Sequence, residues 1–181
     1  MEIKLIVISA LKSMINLKLI LLFTLITNTL KMKIKVLLIE DNKTKANDIN
    51  SFLSKKFPSV ELTIRESLTS GLRDLFSNDY KFLLLDMSLP TREGAMSNTI
   101  NSFEQLGGHR ILSEMKRKKK KIPTILITMF SEFGVGESFL DINSLDIIMK
   151  DFNDFYKGLV FYSSQNDDWK MSLTKFVEDL L

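Results

Sequence analysis

The chain's 181 residues suffice for one domain with a full hydrophobic core and are too few for two comfortable ones. Cysteine is absent and His109 is the single histidine, which excludes disulfides, zinc thiolate sites, thiol catalysis and any multi-histidine metal centre. The net charge of +3 arises from Lys4, Lys12, Lys18 and Lys31 against Glu2, so the body after residue 31 is formally neutral and no nucleic-acid partner is expected.

Residues 1–31 are apolar but interrupted by those lysines. The longest clean stretch, Leu19 to Leu30, falls short of the ~20 residues that span a bilayer. It has the length of a signal-peptide apolar region, yet no small-x-small cleavage site follows. Two readings stay open: translation starts at Met32, or the segment targets or associates with a membrane. The expected division is therefore an N-terminal extension, 1–31, and a folded domain, 32–181.

Five strand-then-helix units follow. Lys35 to Ile39 is a continuous aliphatic run, as a central parallel strand requires. Its helix carries Ala46, Ile49, Phe52 and Leu53 on one stripe and stops before Pro58. Val60, Leu62 and Ile64 alternate in a more exposed second strand. A helix with Leu68, Leu72, Leu75 and Phe76 ends at the turn signal Asn78-Asp79. The third strand, Lys81 to Leu85, delivers Asp86, and Pro90 then turns the chain.

A long connection, Thr91 to Leu106, bears Ile100, Phe103 and Leu106 at helical spacing. After Gly107-Gly108 a helix from about His109 turns Ile111, Leu112 and Met115 inward. The run Lys116 to Lys121 has no interleaved aromatic and reads as a solvated loop. The fourth strand, Thr124 to Ile127, ends at Thr128. Phe139, Ile142, Leu145, Ile148, Phe152 and Phe155 recur every three or four residues and predict a long fourth helix, broken at Lys157-Gly158. Leu159 to Tyr162 is the expected fifth strand. A last helix from about Asp167 places Trp169, Leu173, Phe176, Val177 and Leu180 on one face. Alternation of this kind is the α/β class, with a parallel sheet covered by helices on both faces.

Glu40 and Asp41 fall at the end of the first strand and Asp86 at the end of the third. Ligands and chemistry sit at the carboxyl ends of such strands. Three carboxylates converging there suit a hard, oxygen-seeking divalent cation such as Mg2+. A phosphatase with an aspartyl nucleophile would want Asp-x-Asp, and Asp86-Met87-Ser88 lacks the second acid. A glycine-rich phosphate loop is missing, which disfavours Rossmann and P-loop nucleotide enzymes.

Four segments at successive strand ends carry a family resemblance: Val36 to Asn42, Leu84 to Pro90, Gly108 to Leu112, and Pro123 to Thr128. From Met32 to Leu181 the chain resembles the receiver domain of two-component response regulators. That resemblance implies a three-layer (βα)5 flavodoxin-like fold whose five-stranded parallel sheet has the order 2-1-3-4-5. It implies that Asp86 accepts a phosphoryl group from a histidine kinase or a phosphotransfer protein, chemistry open to a carboxylate once a metal neutralises the phosphoryl oxygens. Asp41 and Asp86 would ligate Mg2+ with the backbone carbonyl of Ser88, and Glu40 directly or through a water. Thr128 would hydrogen-bond a phosphoryl oxygen and pass the signal on.

Little follows the last helix, so the resemblance implies a stand-alone, cytoplasmic receiver, membrane-associated only if residues 1–31 are real and retained. It would be a signalling domain rather than an enzyme, acting through a downstream protein partner. A second copy of the chain is a further candidate partner. Glu137, Asp141, Asp151 and Asp154 would make its interaction face acidic, suited to a basic partner.

The chain departs from the family twice. The family keeps a lysine at the end of its fifth strand, and Phe161-Tyr162-Ser163-Ser164-Gln165 has none. Taking Asp146 to Asp151 as the fifth strand would restore a lysine at Lys150, but it interrupts the helical pattern and leaves Leu159 to Tyr162 without a role. The connection from Thr91 to Leu106 is also longer than the family's and suggests a lid or a partner surface. The missing lysine keeps a second function in view: a receiver-like interaction module independent of phosphorylation. His109 reads as a helix-start residue with no chemistry assigned, Trp169 as a packing residue, and Phe161 and Tyr162 as core aromatics unless one rotates on activation.

Overall fold

The structure, a computed structural model, describes residues 12–22, 33–92, 107–129, 132–133, 140–141 and 148–181. The chain forms two compact units, Met1–Lys33 and Ile34–Leu181. In the first, residues 12–22 are helical and expose Met14, Ile15, Leu17 and Leu19 to Leu22. Among the described residues no helix is long and apolar enough to cross a membrane.

The second unit runs β1 (Ile34–Ile39), α1 (Lys43–Lys56), β2 (Val60–Arg65), α2 (Leu68–Ser77), β3 (Phe82–Leu85), α3 (Gly107–Arg117) and β4 (Thr124–Thr128). Two short strands, β5 (Glu132–Phe133) and β6 (Leu140–Asp141), and a 3-10 turn (Lys150–Phe152) then precede β7 (Tyr156–Phe161) and α4 (Asp168–Leu180). The main sheet is parallel throughout, in the order β2-β1-β3-β4-β7. Counting only its own strands, this is 2-1-3-4-5, the flavodoxin-like order.

Side chains on successive strand residues point to opposite faces, and here each face has its own core. Leu37, Ile39, Leu83, Leu85 and Leu126 pack with α2, α3 and the segment bearing Met149, Phe152 and Phe155. Val36, Leu38, Leu84, Ile125, Ile127 and Val160 pack with α1 and α4, where Trp169, Leu173 and Val177 are buried. Val36 to Ile39 of β1 and all of β3 are therefore buried on both sides, which is why they read as unbroken apolar runs.

Local chemistry fixes the helix starts. The Asn42 side chain accepts the Lys45 N–H at 3.1 Å and caps α1, while Ser67 accepts the Ser70 N–H and caps α2. Lys55 and Lys56 lie in the last turn of α1, where the helix dipole favours cations.

Two expectations from the chain's periodicity need correction. The long helix through Phe139 to Phe155 does not form as read. Leu140–Asp141 pairs antiparallel with Glu132–Phe133, residues 142–147 lie outside the described residues, and Phe152 ends a 3-10 turn followed by a turn at Asn153 to Phe155. Ile148 and Met149 are α-helical and lead straight into the 3-10 turn, and Met149, Phe152 and Phe155 keep their inward spacing through the change because one face of the sheet buries them. The fifth sheet strand starts at Tyr156 rather than Leu159, with Gly158 inside it at φ +148°. A register shift between Thr124 and Ile125 accommodates it, and the Phe176 ring fills the space that a β-carbon would need. Asp146–Asp151 is accordingly not the fifth strand. The connection through residues 93–106 and Glu137 lie outside the described residues.

Candidate functional site

The C-terminal ends of β1 and β3 are neighbours, and their register holds Ile39 opposite Leu85. One residue on, the Asp86 N–H donates to the Ile39 carbonyl at 3.0 Å, which carries the ladder to the base of the site. Glu40 and Asp86 are buried, whereas Asp41 opens to solvent. Carboxylate oxygens of all three lie within 4.8 Å of one another. They line a cavity of about 240 Å³ with Asn42, Lys45, Ser88 and Met129. A larger depression of about 670 Å³ beside Phe52 and Trp169 holds no comparable carboxylate cluster.

The loop after β3 shapes Asp86. The Ser88 N–H donates to Asp86 Oδ2 at 2.6 Å, an Asx-type turn that holds the carboxylate toward the cavity. Behind it, Gly108 N–H donates to the Met87 carbonyl at 3.0 Å, which docks the first turn of α3 on this loop. Thr128 is buried at the end of β4, at the same edge of the sheet. Glu40 reaches back to accept the Asn42 N–H through Oε1 at 3.0 Å.

Lys45 is the residue that sequence reasoning missed. Only 1% exposed, it leaves the first turn of α1 and places Nζ 2.6 Å from Glu40 Oε2, 2.6 Å from Asp86 Oδ1 and 2.6 Å from the Ile127 carbonyl oxygen. A signal was present: Lys45, Ile49 and Leu53 share the four-residue spacing of one buried helix stripe. A lysine on such a stripe is either snorkelling or paired, and this one is paired.

Electrostatics mark the cluster as short of positive charge. Burial and the neighbouring Asp86 push the Glu40 carboxyl up to about 7, although Lys45 pulls the other way. Desolvation and Asp86 likewise hold Asp41 above its usual range. Glu40 Oε2 has its ion contact with Lys45 but no hydrogen bond. Three hard oxygen donors with an under-satisfied buried carboxylate among them fit an oxygen-seeking divalent cation such as Mg2+.

The fifth-strand end is occupied differently from the family expectation. Tyr162 follows β7, is buried, and donates its hydroxyl to Asp48 on α1 at 2.5 Å. Its N–H bonds the Thr128 carbonyl at 2.7 Å, so the strand pair extends to this point. Phe161 is 44% exposed and outside the core, whereas Trp169 packs edge-on against Phe52, as expected of a packing residue, and His109, in the first turn of α3, stands edge-on to Phe152.

Relatives agree with this architecture. The chain is 31% identical over 142 residues to the uncharacterized protein y4jR of Sinorhizobium fredii, covering 77% of this chain and 93% of that one. It is 26% identical over 149 residues to the Detocs response regulatory protein DtcB of Enterobacter cloacae, covering 81% and 99%. The chain belongs to the response regulator receiver family. No protein-family model matches it. Among solved structures, the response regulator TrrA from Thermotoga maritima in complex with Mg2+-BeF superposes with a TM-score of 0.54 at 19% identity, over 82% of this chain and 99% of that one. At that identity the likeness speaks for the receiver fold. The receiver's own residues must carry any argument about chemistry.

Proposed function

We propose that this receiver is a phosphoacceptor in a two-component phosphorelay, with Asp86 taking the phosphoryl group. The observation that carries the reading is the convergence of Glu40, Asp41 and Asp86 at the carboxyl edge of the sheet, with Asp86 facing a cavity. Mg2+ bound by Asp41, Asp86 and the Ser88 carbonyl, with Glu40 directly or through a water, would neutralise charge on the phosphoryl oxygens. An Asp86 carboxylate oxygen attacks phosphorus, and the bond from phosphorus to the donor's imidazole nitrogen breaks, its electron pair returning to that nitrogen. The Ser88 N–H fixes the carboxylate for in-line attack, so positioning does most of the work. Thr128, at the end of β4, hydrogen-bonds a phosphoryl oxygen and relays the change to the protein-binding face.

The donor is a histidine kinase or phosphotransfer protein, and the output is a downstream protein partner or a second copy of the chain. The working unit is residues 32–181, a cytoplasmic signalling domain. Incubation with Mg2+ and acetyl phosphate, read by intact mass, tests the assignment. A phosphate-sized gain in wild type and none in Asp86→Asn supports it. Absence of that gain, together with no binding of beryllofluoride, would leave a phosphorylation-independent interaction module.

A further inference from the structure

The lysine missing from the C-terminal end of the fifth strand has a counterpart in space. We propose that Lys45, from the first turn of α1, is the cation that pairs with the phosphoryl group on Asp86; this rests on the phosphoacceptor reading and assigns a new residue to the same site.

Among the described residues lining the carboxylate cavity, Lys45 alone is cationic. Its ammonium touches the nucleophile directly, at 2.6 Å from Asp86 Oδ1. When Asp86 is phosphorylated its own charge moves to the phosphoryl oxygens, and an ammonium already at bonding distance needs only a small re-aim to follow. The third contact explains why it stays. The Ile127 carbonyl is a neutral acceptor that is unchanged by phosphorylation, so it anchors Nζ in both states. That carbonyl belongs to the residue before Thr128, which ties the cation to the strand end where the signal would leave.

Helix α1 is built to hold this side chain. Asn42 caps it through the Lys45 N–H, and the Ile49 and Leu53 side chains below Lys45 are buried in the core. At the end of β7, Tyr162 occupies the buried position after the strand and turns its hydroxyl away to Asp48. The cation that the family resemblance places at the end of the fifth strand is here offered to the cavity from the start of α1.

The rival account makes Lys45 a tethered cation that merely competes with metal for Glu40 and Asp86. The two accounts predict opposite outcomes for neutral substitutions. Full-length wild type, Lys45→Gln, Lys45→Met and Lys45→Met with Tyr162→Lys are compared for Mg2+ affinity by calorimetry, for beryllofluoride affinity, and for the rate of acetyl phosphate labelling. Circular dichroism checks that each is folded. Under our proposal, the neutral variants bind Mg2+ at least as tightly as wild type, because a repelling charge is gone. Their beryllofluoride affinity and labelling rate nonetheless fall by about tenfold or more, the scale of one charge-assisted hydrogen bond. The double variant recovers part of the loss.

Labelling of Lys45→Gln at or above the wild-type rate would overturn the assignment while leaving the phosphoacceptor reading intact. Failure of wild type itself to label or to bind beryllofluoride would remove both. A readout on wild type covers the case in which the variants do not fold. With lysine Nζ labelled with 15N, the solvent-shielded ammonium should shift when beryllofluoride is added to the Mg2+-bound protein. No shift in that resonance would overturn the proposal.

Discussion

A β-carbon placed on Gly108 would lie 2.5 Å from the carbonyl oxygen of Asp86 and 2.7 Å from the Met87 Cα. The first turn of α3 and the backbone of the candidate phosphoacceptor are in direct contact, with no room for a side chain between them. Both nearest atoms are backbone, so neither can swing aside. Gly108→Ala should therefore destabilise the protein by about 1–3 kcal/mol, the usual cost of overpacking a rigid contact. Urea unfolding would show it as a lower midpoint at unchanged slope. Because the clash is with the Asp86 loop, the labelling rate should fall as well.

Magnesium should stabilise the fold. A cation that binds only the assembled carboxylate cluster adds about 2.7 kcal/mol when present at a hundred times its dissociation constant. For a domain of this size that raises Tm by several degrees, at about 2–4 °C per kcal/mol. Thermal melts with and without Mg2+ should differ accordingly, and Asp41→Asn should lose most of the difference. Equal melts in wild type would count against the metal.

A third buried carboxylate, outside the cluster, supplies a pH prediction. Asp74 on α2 accepts Tyr80 Oη at 2.7 Å and Asn78 Nδ2 at 2.5 Å through Oδ1, and its Oδ2 pairs with Arg65 of β2. Burial alone would raise this carboxyl, but the Tyr80 and Asn78 hydrogen bonds and the Arg65 charge outweigh it, and it sits below its ordinary 3.8. A depressed carboxylate stabilises the folded state above the unfolded value and loses that contribution as pH falls through its own. Asp74→Asn should cost about 1–3 kcal/mol at neutral pH. The gap to wild type should narrow only under acid conditions, at pH below 3.8. Denaturant titrations at several pH values measure it.

Tyr162→Phe should separate structure from chemistry. Removing the hydroxyl deletes the bond to Asp48, while the ring keeps its packing against Trp169, with centroids 5.1 Å apart. Because Asp48 is exposed and water can replace the lost partner, the expected cost is about 1 kcal/mol. Burial and Asp48 push the Tyr162 hydroxyl up to about 12, so the contribution is intact at neutral pH and disappears only as pH rises through that value. Melting temperature should drop slightly while labelling of Asp86 proceeds at the wild-type rate.

Much of this protein is legible along the chain because its central strands are buried on both faces. Val36 to Ile39 and Phe82 to Leu85 must be apolar throughout, and such runs end visibly at the first residue that meets the sheet edge. Glu40, Asp41 and Asp86 are therefore conspicuous from sequence alone. Periodicity is less reliable where short segments dock on the sheet. Between Ile148 and Phe155 the apolar spacing reflects burial of Met149, Phe152 and Phe155 against one face, and a helical end passing into a 3-10 turn and then a turn satisfies that as well as one long helix does.

What tertiary structure alone decided is which cation meets Asp86. The family resemblance directs the search for that cation to the end of the fifth strand. Lys45 belongs to a helix, 41 residues before Asp86, and nothing local distinguishes it from a solvated lysine except its place on the Ile49 and Leu53 stripe. Only when α1 packs across β1 and β4 does that stripe point at two carboxylates and the Ile127 carbonyl. Those partners make burial of the ammonium tolerable, and they come from β1, β3 and β4, three segments that the fold alone brings together.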